Sequence, residues 1–318
     1  MRIGIGIGPL PRDRRDLEGN IEWAIGAESD GFDSLWISHG LAIDSLQLVA
    51  LAGEKTSDIE LVTGVIPIYS RSPLLMAQQA LTANEAAGGR LSLGLGVAHP
   101  ETTAVLWNAT YDRPAKYMRE YLGALTPLLE DRAVDFSAEM IITSASMGFK
   151  SPPTPSVLLA AMAPLMLKLA GEKTDGTILW MCGRKSIETH IAPRINQAAE
   201  RTGRPAPRVC VALPICVTDE PDAARESVAA TLGGYGRLVN YRAALDIERG
   251  GEIAERLDAL YDYMTRTLIR ANIKSDTALI AQVDTLLDDI GSAWKQIGNV
   301  PSMPSVAAPQ PVSSLQQA

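Results

Sequence analysis

The stretch Gly88–Pro100, GGRLSLGLGVAHP, contains a strand with one nearly bare face. Side chains alternate between the two faces of a strand, so Leu91–Val97 points its three leucines one way and its serine and two glycines the other. Residues 2–8, RIGIGIG, repeat the pattern with isoleucine and glycine. A face without side chains admits either a flat ligand, such as a cofactor ring, or a tightly packed barrel interior.

Composition excludes several classes of function. The chain has 318 residues, 46% of them hydrophobic, and a net charge of −8 without a basic stripe, so neither nucleic acid nor an anionic membrane surface is an expected partner. The longest apolar stretch, Val157–Ala170, contains Pro164 and Lys168 and is too short to span a membrane. The first residues form an alternating strand and do not resemble a signal peptide.

The cysteines and histidines indicate a reduced, cytoplasmic protein without a metal centre. Cys182, Cys210 and Cys216 form no C-x-x-C pair, so neither a disulfide framework nor a thiolate metal site is expected. The chain has only three histidines, and none has a second histidine at helical ligand spacing.

Strands and helices alternate along the first two thirds of the chain. Apolar runs predict strands at Arg2–Gly8, Ser34–Ser38, Ile59–Ile66, Leu91–Val97, Ser156–Ala161, Gly176–Met181 and Arg208–Thr218. Helices are predicted at Leu17–Ser29, Ser45–Thr56, Leu74–Ala87, Lys116–Glu130, Leu165–Glu172, Ile187–Thr202 and from Pro221. Such units predict a parallel sheet covered by helices, and seven of them favour a closed barrel over an open sheet. Gly4, Gly6 and Gly8 lack the spacing of a dinucleotide fingerprint.

Seven separated motifs in residues 1–245 together resemble the luciferase-like monooxygenase superfamily. They include GFDSLWISHG, LVTGVIPIYSRSPLLMAQQA, GGRLSLGLGVAHP and YDRPAKYMREYL. Within the superfamily the sequence is most similar to the actinobacterial branch that uses the deazaflavin coenzyme F420, although relatives bind FMN. The resemblance implies an α/β fold, a (β/α)8 TIM-type barrel of the bacterial luciferase type, with the cofactor across its C-terminal mouth.

The resemblance also implies the site residues, which lie where strands end. His39 follows the second strand beside the ring, and Gly64 with Val65 forms a bulge behind it. The other implied cofactor-binding residues are Gly96, Val97 and Ala98 after strand four, Ala161, Met162 and Ala163 after strand five, and Met181, Cys182, Gly183, Arg184 and Lys185 after strand six. His99 stands where some sugar-phosphate-oxidising relatives carry glutamate, which argues against that substrate class.

Two of these assignments also have a physical basis. A glycine, two cations and a serine at Gly183–Ser186 precede a helix, and the free N–H groups and dipole of a helix start favour a phosphate. His39 and His99 are the candidate catalytic residues, because histidine can donate or accept a proton near neutral pH.

The expected organisation is a single domain over residues 1–299 with an insertion at about 131–155. Residues 250–299 read as helical, residues 300–318 as a disordered tail, and no convincing eighth strand follows residue 218. An open barrel edge needs cover, which predicts a homodimer. The expected function is hydride transfer between F420 and a small organic substrate. The alternatives are an FMN-dependent monooxygenase and a non-catalytic cofactor-binding or accessory homologue.

Overall fold

The computed structural model describes residues 2–7, 16–148, 153–215 and 217–220, together with six isolated positions between 263 and 286. The chain divides after Thr231 into two compact units, and every element below belongs to the first. In the second unit, the Gln282 side-chain amide donates to the Tyr263 hydroxyl at 2.9 Å. The predicted helix from Pro221, most of the helical stretch 250–299, the tail 300–318 and any eighth strand lie outside the described residues.

Strands and helices alternate as the sequence predicts. The strands are β1 (Gly4–Ile7), β2 (Ser34–Ile37), β3 (Glu60–Thr63), β4 (Ile66–Pro67), β5 (Leu91–Gly96), β6 (Ala133–Ser137), β7 (Ile142–Ser146), β8 (Ser156–Ala160), β9 (Gly176–Trp180) and β10 (Arg208–Ala212). The helices are α1 (Leu17–Ser29), α2 (Ser45–Gly53), α3 (Pro73–Ala86), α4 (Pro100–Trp107), α5 (Pro114–Glu130), α6 (Pro164–Lys173), α7 (Arg184–Ser186) and α8 (Ala192–Arg201). A 3₁₀ turn, Ile68–Ser70, follows β4, and a π-helical segment, Ile187–Ile191, joins α7 to α8.

The main sheet is parallel, and its order follows the chain: β1-β2-β3-β5-β8-β9-β10, with β4 also paired to β5. Because helices connect successive parallel strands, all carboxyl ends of the strands lie at one edge. The curled sheet confirms the predicted α/β fold of the TIM-barrel type. Among the described residues, the sheet ends at β1 on one side and at β10 on the other. Three expectations stay predictions: closure of the barrel by an eighth strand, a homodimer and a cytoplasmic location. No described helix combines the length and apolar character needed to cross a lipid bilayer.

Most of the core lies between the sheet and its helices. Leu35, Leu61 and Leu93 point outward from neighbouring strands and are fully buried against the helices. The inner face carries a second, smaller cluster, in which Val62, Leu158 and the half-buried Trp36 pack together. This division follows from the alternation of strand side chains.

At two glycines of the bare strand faces, other atoms of the protein occupy the space that a side chain would need. A Cβ on Gly94 would lie 1.9 Å from the Thr63 carbonyl oxygen, and one on Gly4 would lie 2.3 Å from the Ser34 hydroxyl. On Gly6, the nearest atom would be the Trp36 carbonyl oxygen at 3.8 Å. The packed-interior alternative therefore holds at Gly4 and Gly94, whereas Gly6 leaves ordinary space.

An ion cluster closes the amino-terminal end of the inner face. The two carboxylate oxygens of Glu60 accept from the Arg208 guanidinium at 2.7 and 3.1 Å. Arg2 lies 2.9 Å from the same carboxylate, and the Ser92 hydroxyl donates to it. Burial alone would raise the pKa of Glu60, but the hydrogen bonds of Arg208 and Ser92 and the two positive charges leave it below its ordinary value.

The strands β6 and β7 and the helix α4 were not predicted from the sequence. The insertion at 131–155 contains an antiparallel hairpin, β6–β7, whose turn is held by the Glu120 carboxylate, which accepts from the amides of Met140 at 2.7 Å and Ile141 at 3.2 Å. Phe136 packs against Gly123 of α5, where a Cβ would lie 2.7 Å from its ring. Helix α4 begins after His99, with Pro100 at its first position.

We expect Gly94→Ala to destabilise the protein by at least about 3 kcal/mol, because the new methyl group would overlap the Thr63 carbonyl and the Ile178 side chain. The matched control is Gly6→Ala, which meets no such obstacle and restricts the unfolded chain, so stability should rise by about 0.5 kcal/mol. Urea denaturation measures both. Equal effects of the two substitutions would contradict the packing described here.

We expect Glu60→Gln to cost about 2 kcal/mol, because it removes the charge that pairs two arginines at a side chain only 13% exposed. The folded pKa of Glu60 is lowered, so its contribution is complete above the ordinary value of 4.5 and is lost as the pH falls through the folded pKa. Urea denaturation between pH 3 and pH 7 measures both effects.

Glu139→Gln is the control for this prediction. Glu139 also pairs two cations, Arg113 and Lys116, which lower its pKa to about 2, but its side chain is 55% exposed. Exposed pairs contribute little to stability, so no measurable change is expected. A Glu60 variant with the same denaturation curve as the Glu139 variant would show that the inner cluster contributes nothing.

Candidate active site

The structure places every predicted site residue at the carboxyl edge of the sheet. His39 follows β2, Gly64 and Val65 separate β3 from β4, and the remaining residues are the last of β5 and those that follow β5, β8 and β9. The full set is His39, Gly64, Val65, Gly96, Val97, Ala98, His99, Ala161, Met162, Ala163, Met181, Cys182, Gly183, Arg184 and Lys185. Their common position is a consequence of the parallel sheet; their roles stay predictions.

The third strand is interrupted at the bulge implied by the resemblance. Val62 pairs with Ser92 and Ile66 pairs with Leu95, so four steps on one strand match three on the other. The Gly64–Val65 peptide bond is cis. A Cβ on Gly96 would lie 2.7 Å from a Val65 methyl carbon, so the glycine makes room for the bulge.

A threonine hydroxyl holds the start of this bulge. The Gly94 amide donates to Thr63 Oγ1 at 2.8 Å, and the same hydroxyl donates to the Gly94 carbonyl at 3.0 Å. The side chain thereby satisfies backbone groups of β5 at the place where the partner strand turns away.

His39 is half-buried and held by the start of α2. Its Nδ1 lies 3.0 Å from the Ser45 hydroxyl, and the Ser45 backbone amide donates to the same atom at 3.4 Å. Burial lowers the pKa of His39, the positive charge of Arg71 lowers it further, and Asp44 acts in the opposite direction. The neutral imidazole is therefore favoured at pH 7.

His99 occupies the N-cap position of α4, two strand positions away from His39. Burial lowers its pKa, and the nearby Glu101 carboxylate partly offsets this. Its φ of −126° and ψ of 153° are extended, and the ring makes no capping hydrogen bond. Both histidines therefore lie at strand ends and favour the neutral form.

Two predicted cofactor residues have left-handed backbone conformations. Ala98 has φ 56° and lies two residues after the end of β5, and Met181 has φ 51° and follows β9 directly. Such conformations cost side-chain-bearing residues free energy and concentrate at functional sites.

The helices α6 and α7 begin at this edge without a capping side chain. Ala163 precedes α6 and Gly183 precedes α7, and neither supplies a side-chain hydrogen bond to the first amides. Arg184 is 89% exposed and pairs with Glu188 at 2.7 Å, and Lys185 is exposed. Uncapped amides beside two exposed cations can bind an anion, which is the role that the sequence predicts for this loop.

His190 links two of the predicted cofactor segments. Its Nε2 lies 2.8 Å from the Met162 carbonyl oxygen, joining the π-helical segment after β9 to the turn after β8. Sequence spacing carries no signal for this contact, because it depends on how α6 and α8 pack together.

Arg71 and the arrangement of tyrosines around it were not predicted from the sequence. Arg71 donates to the Asp44 carboxylate, and its side chain is only 8% exposed. Tyr69 stacks on Tyr117 with ring centroids 4.6 Å apart, and Tyr121 donates to the Arg71 carbonyl at 3.0 Å. Residues 69–73, Tyr117 and hairpin residues 140–143 line a cleft of about 360 Å³. The polar run before Pro73 is the sequence feature that could have pointed to this cleft.

Comparisons with known proteins agree with this geometry. The model of the luciferase-like monooxygenase family matches residues 3–293. The 5,10-methylenetetrahydromethanopterin reductase of Methanolobus tindarius is 31% identical over 208 residues, which are 65% of this chain and 63% of the relative. The reductase of the same name from Methanopyrus kandleri is 26% identical over 317 residues, 92% of this chain and 90% of the relative.

Two solved structures share the fold. The coenzyme F420-dependent tetrahydromethanopterin reductase of Methanopyrus kandleri superimposes with a TM-score of 0.61 at 20% identity, covering 81% of this chain and 82% of the other. The oxygenating constituent of 3,6-diketocamphane monooxygenase from Pseudomonas putida, in complex with FMN, gives 0.60 at 19% identity and covers 81% and 79%. At 19–20% sequence identity, these similarities show a shared fold and nothing further.

We expect Ala98→Gly to stabilise the protein by about 1 kcal/mol, because glycine adopts the observed positive φ without a steric penalty. Ala104→Gly, on the exposed face of α4, is the opposite control and should cost about 0.5–1 kcal/mol. Thermal denaturation measures both. A loss of stability in Ala98→Gly would show that the positive φ of Ala98 carries no free-energy cost in the folded protein.

Proposed function

Because the chain belongs to the luciferase-like monooxygenase family, we propose that it is an oxidoreductase that binds coenzyme F420 across the carboxyl edge of its sheet. The observation that carries the proposal is the meeting of three features at that edge. These are the bulge at Gly64–Val65, the half-buried His39 and the uncapped helix start at Gly183. The similarity to 5,10-methylenetetrahydromethanopterin reductases, together with the F420-dependent tetrahydromethanopterin reductase that shares the fold, supports F420 as the cofactor.

The residues present fit such a cofactor. At Gly64 the nearest atom to an added Cβ would be a Trp36 ring carbon at 3.6 Å, so this part of the edge presents backbone with ordinary space beside it, which suits a flat ring. At the opposite side of the edge, the amides after Gly183 and the side chains of Arg184 and Lys185 suit its phosphate. When bound, the reduced deazaflavin supplies a hydride at C5.

The chain would contribute orientation and hydrogen bonding. The bulge backs the ring, and the helix start after β9 fixes the charged end, which together set the distance between the ring and an acceptor. His39 and His99 remain the candidate groups near the acceptor. The cleft beside Tyr69 and Tyr117 is the proposed entry for the organic substrate, a small molecule with an activated double bond or, in the reverse direction, an alcohol.

FMN is the second candidate cofactor, because a neighbour with the same fold binds it. Both cofactors carry a phosphate, so the loop at Gly183–Lys185 does not distinguish them. A direct comparison of binding does.

We expect the purified protein to bind F420 with micromolar or tighter affinity and more tightly than FMN, measured by tryptophan fluorescence. Replacing Arg184 and Lys185 with alanine should weaken binding by about tenfold or more, because two phosphate contacts are lost. The control replaces Lys173 and Arg201, which lie in the last turns of α6 and α8 at the other end of the sheet, and should leave the Kd unchanged.

The remaining outcomes change the assignment. Tighter binding of FMN would make the protein a flavin-dependent member of the family. Binding of neither cofactor would contradict the proposed function, and tight F420 binding without turnover of any acceptor would indicate a non-catalytic homologue.

A further inference from the structure

His39 is held by groups from two segments. Asp44 and Ser45 come from the start of α2, and Arg71 follows the 3₁₀ turn after β4. The Ser45 side chain is fully buried with its hydroxyl 3.0 Å from His39 Nδ1. One imidazole nitrogen, Nδ1, is therefore fixed against the start of α2. The second ring nitrogen is Nε2.

The Ser45 backbone amide decides which nitrogen carries the proton. A backbone N–H can only donate, and it approaches His39 Nδ1 at 3.4 Å. Nδ1 must then be the acceptor, so a neutral ring carries its proton on Nε2. The positive end of the α2 dipole also disfavours a second proton on Nδ1.

Arg71 supplies a fixed positive charge near this ring. Its side chain is 8% exposed, and the guanidinium is held through one nitrogen by the Asp44 carboxylate. The other oxygen of Asp44 accepts from the amides of Leu46 at 3.0 Å and Gln47 at 3.2 Å, so both oxygens are occupied. Nη1 of Arg71 is buried without a hydrogen-bond partner in the described part of the chain.

We propose that Ser45, Asp44 and Arg71 hold His39 as a neutral imidazole with its proton on Nε2, so that it acts as a hydrogen-bond donor and not as an imidazolium acid. Arg71 is the positioning residue that enforces this state. The catalytic part rests on the proposed function: when a hydride reaches the acceptor carbon, the electron pair left on the acceptor heteroatom receives a hydrogen bond from Nε2–H, and water supplies the proton.

The electrostatics agree with this geometry. Burial and Arg71 both lower the pKa of His39, and Asp44 is the only described charged group that opposes them. The two charges should therefore shift the titration of His39 in opposite directions when each is removed. An ion pair too distant to interact with the imidazole would produce neither shift.

The test is nitrogen NMR of the protein labelled at histidine, without coenzyme. The chain has only three histidines, and His39→Gln assigns the signal of interest. The imidazole ¹⁵N shifts of His39 should report a neutral ring with the proton on Nε2, titrating below an ordinary histidine. A proton on Nδ1, or a midpoint above the ordinary value, would overturn the proposal.

Substitutions of the ion pair sharpen the test. Arg71→Met should move the His39 midpoint to higher pH, and Asp44→Asn, which keeps an oxygen to cap α2, should move it to lower pH. Arg71→Lys keeps the charge and should leave it nearly unchanged. Arg201→Met, in the last turn of α8, is the control for loss of a positive charge elsewhere.

The titration of His39 tests this proposal independently of whether the protein binds F420. If Arg71→Met does not fold, the downward shift in Asp44→Asn still decides the question, and an unchanged midpoint there would contradict the proposal. Failure of F420 to bind in the fluorescence titration would remove the catalytic role and leave the protonation state of His39 as measured.

Discussion

The arrangement of the site depends on the hydroxyl of Thr63. It exchanges two hydrogen bonds with the Gly94 backbone at the last point where the third strand lies against its neighbour. Beyond it the chain gains one residue relative to β5, and Val65 turns onto Gly96. Gly94 has to be a glycine because the Thr63 carbonyl occupies the space of its side chain. At Gly94, the bare face of the strand Leu91–Val97 is therefore required by the backbone of the neighbouring strand.

The two ends of the sheet are built differently. At the amino-terminal end, Glu60 has every oxygen engaged by Arg208, Ser92 or Arg2. At the carboxyl edge, Ala98 and Met181 are in left-handed conformations, and helices α6 and α7 begin without capping side chains. Arg71 Nη1 has no hydrogen-bond partner among the residues that the structure describes. Satisfied polar groups at one end and unsatisfied or strained ones at the other are the expected division between stability and function in such folds.

Sequence patterns predicted the main sheet well because strand alternation and helix periodicity are local. Helix α1 was predicted to the residue, and β5 to within one residue. The hairpin β6–β7 was missed because its short, mostly polar strands bury only a few side chains against α5, so the apolar signal is weak. The carboxyl-edge positions of the candidate residues followed from the parallel order alone. The His190–Met162 contact and the Arg71–Asp44 pair could not be predicted, because each joins segments whose approach depends on packing.

The hairpin has a consequence for how this scaffold can diversify. It touches the rest of the unit through α5 and α3, and its turn is fixed through backbone amides by Glu120, which places few demands on the turn's own side chains. The same turn lines the cleft beside Tyr69 and Tyr117. Ile141 is buried in the core and has to stay apolar, but the other residues of 138–143 can change in evolution or in the laboratory without disturbing a single strand of the main sheet. The hairpin is an exchangeable module: under the proposed function, its changes would alter substrate scope without altering the residues proposed to hold the cofactor.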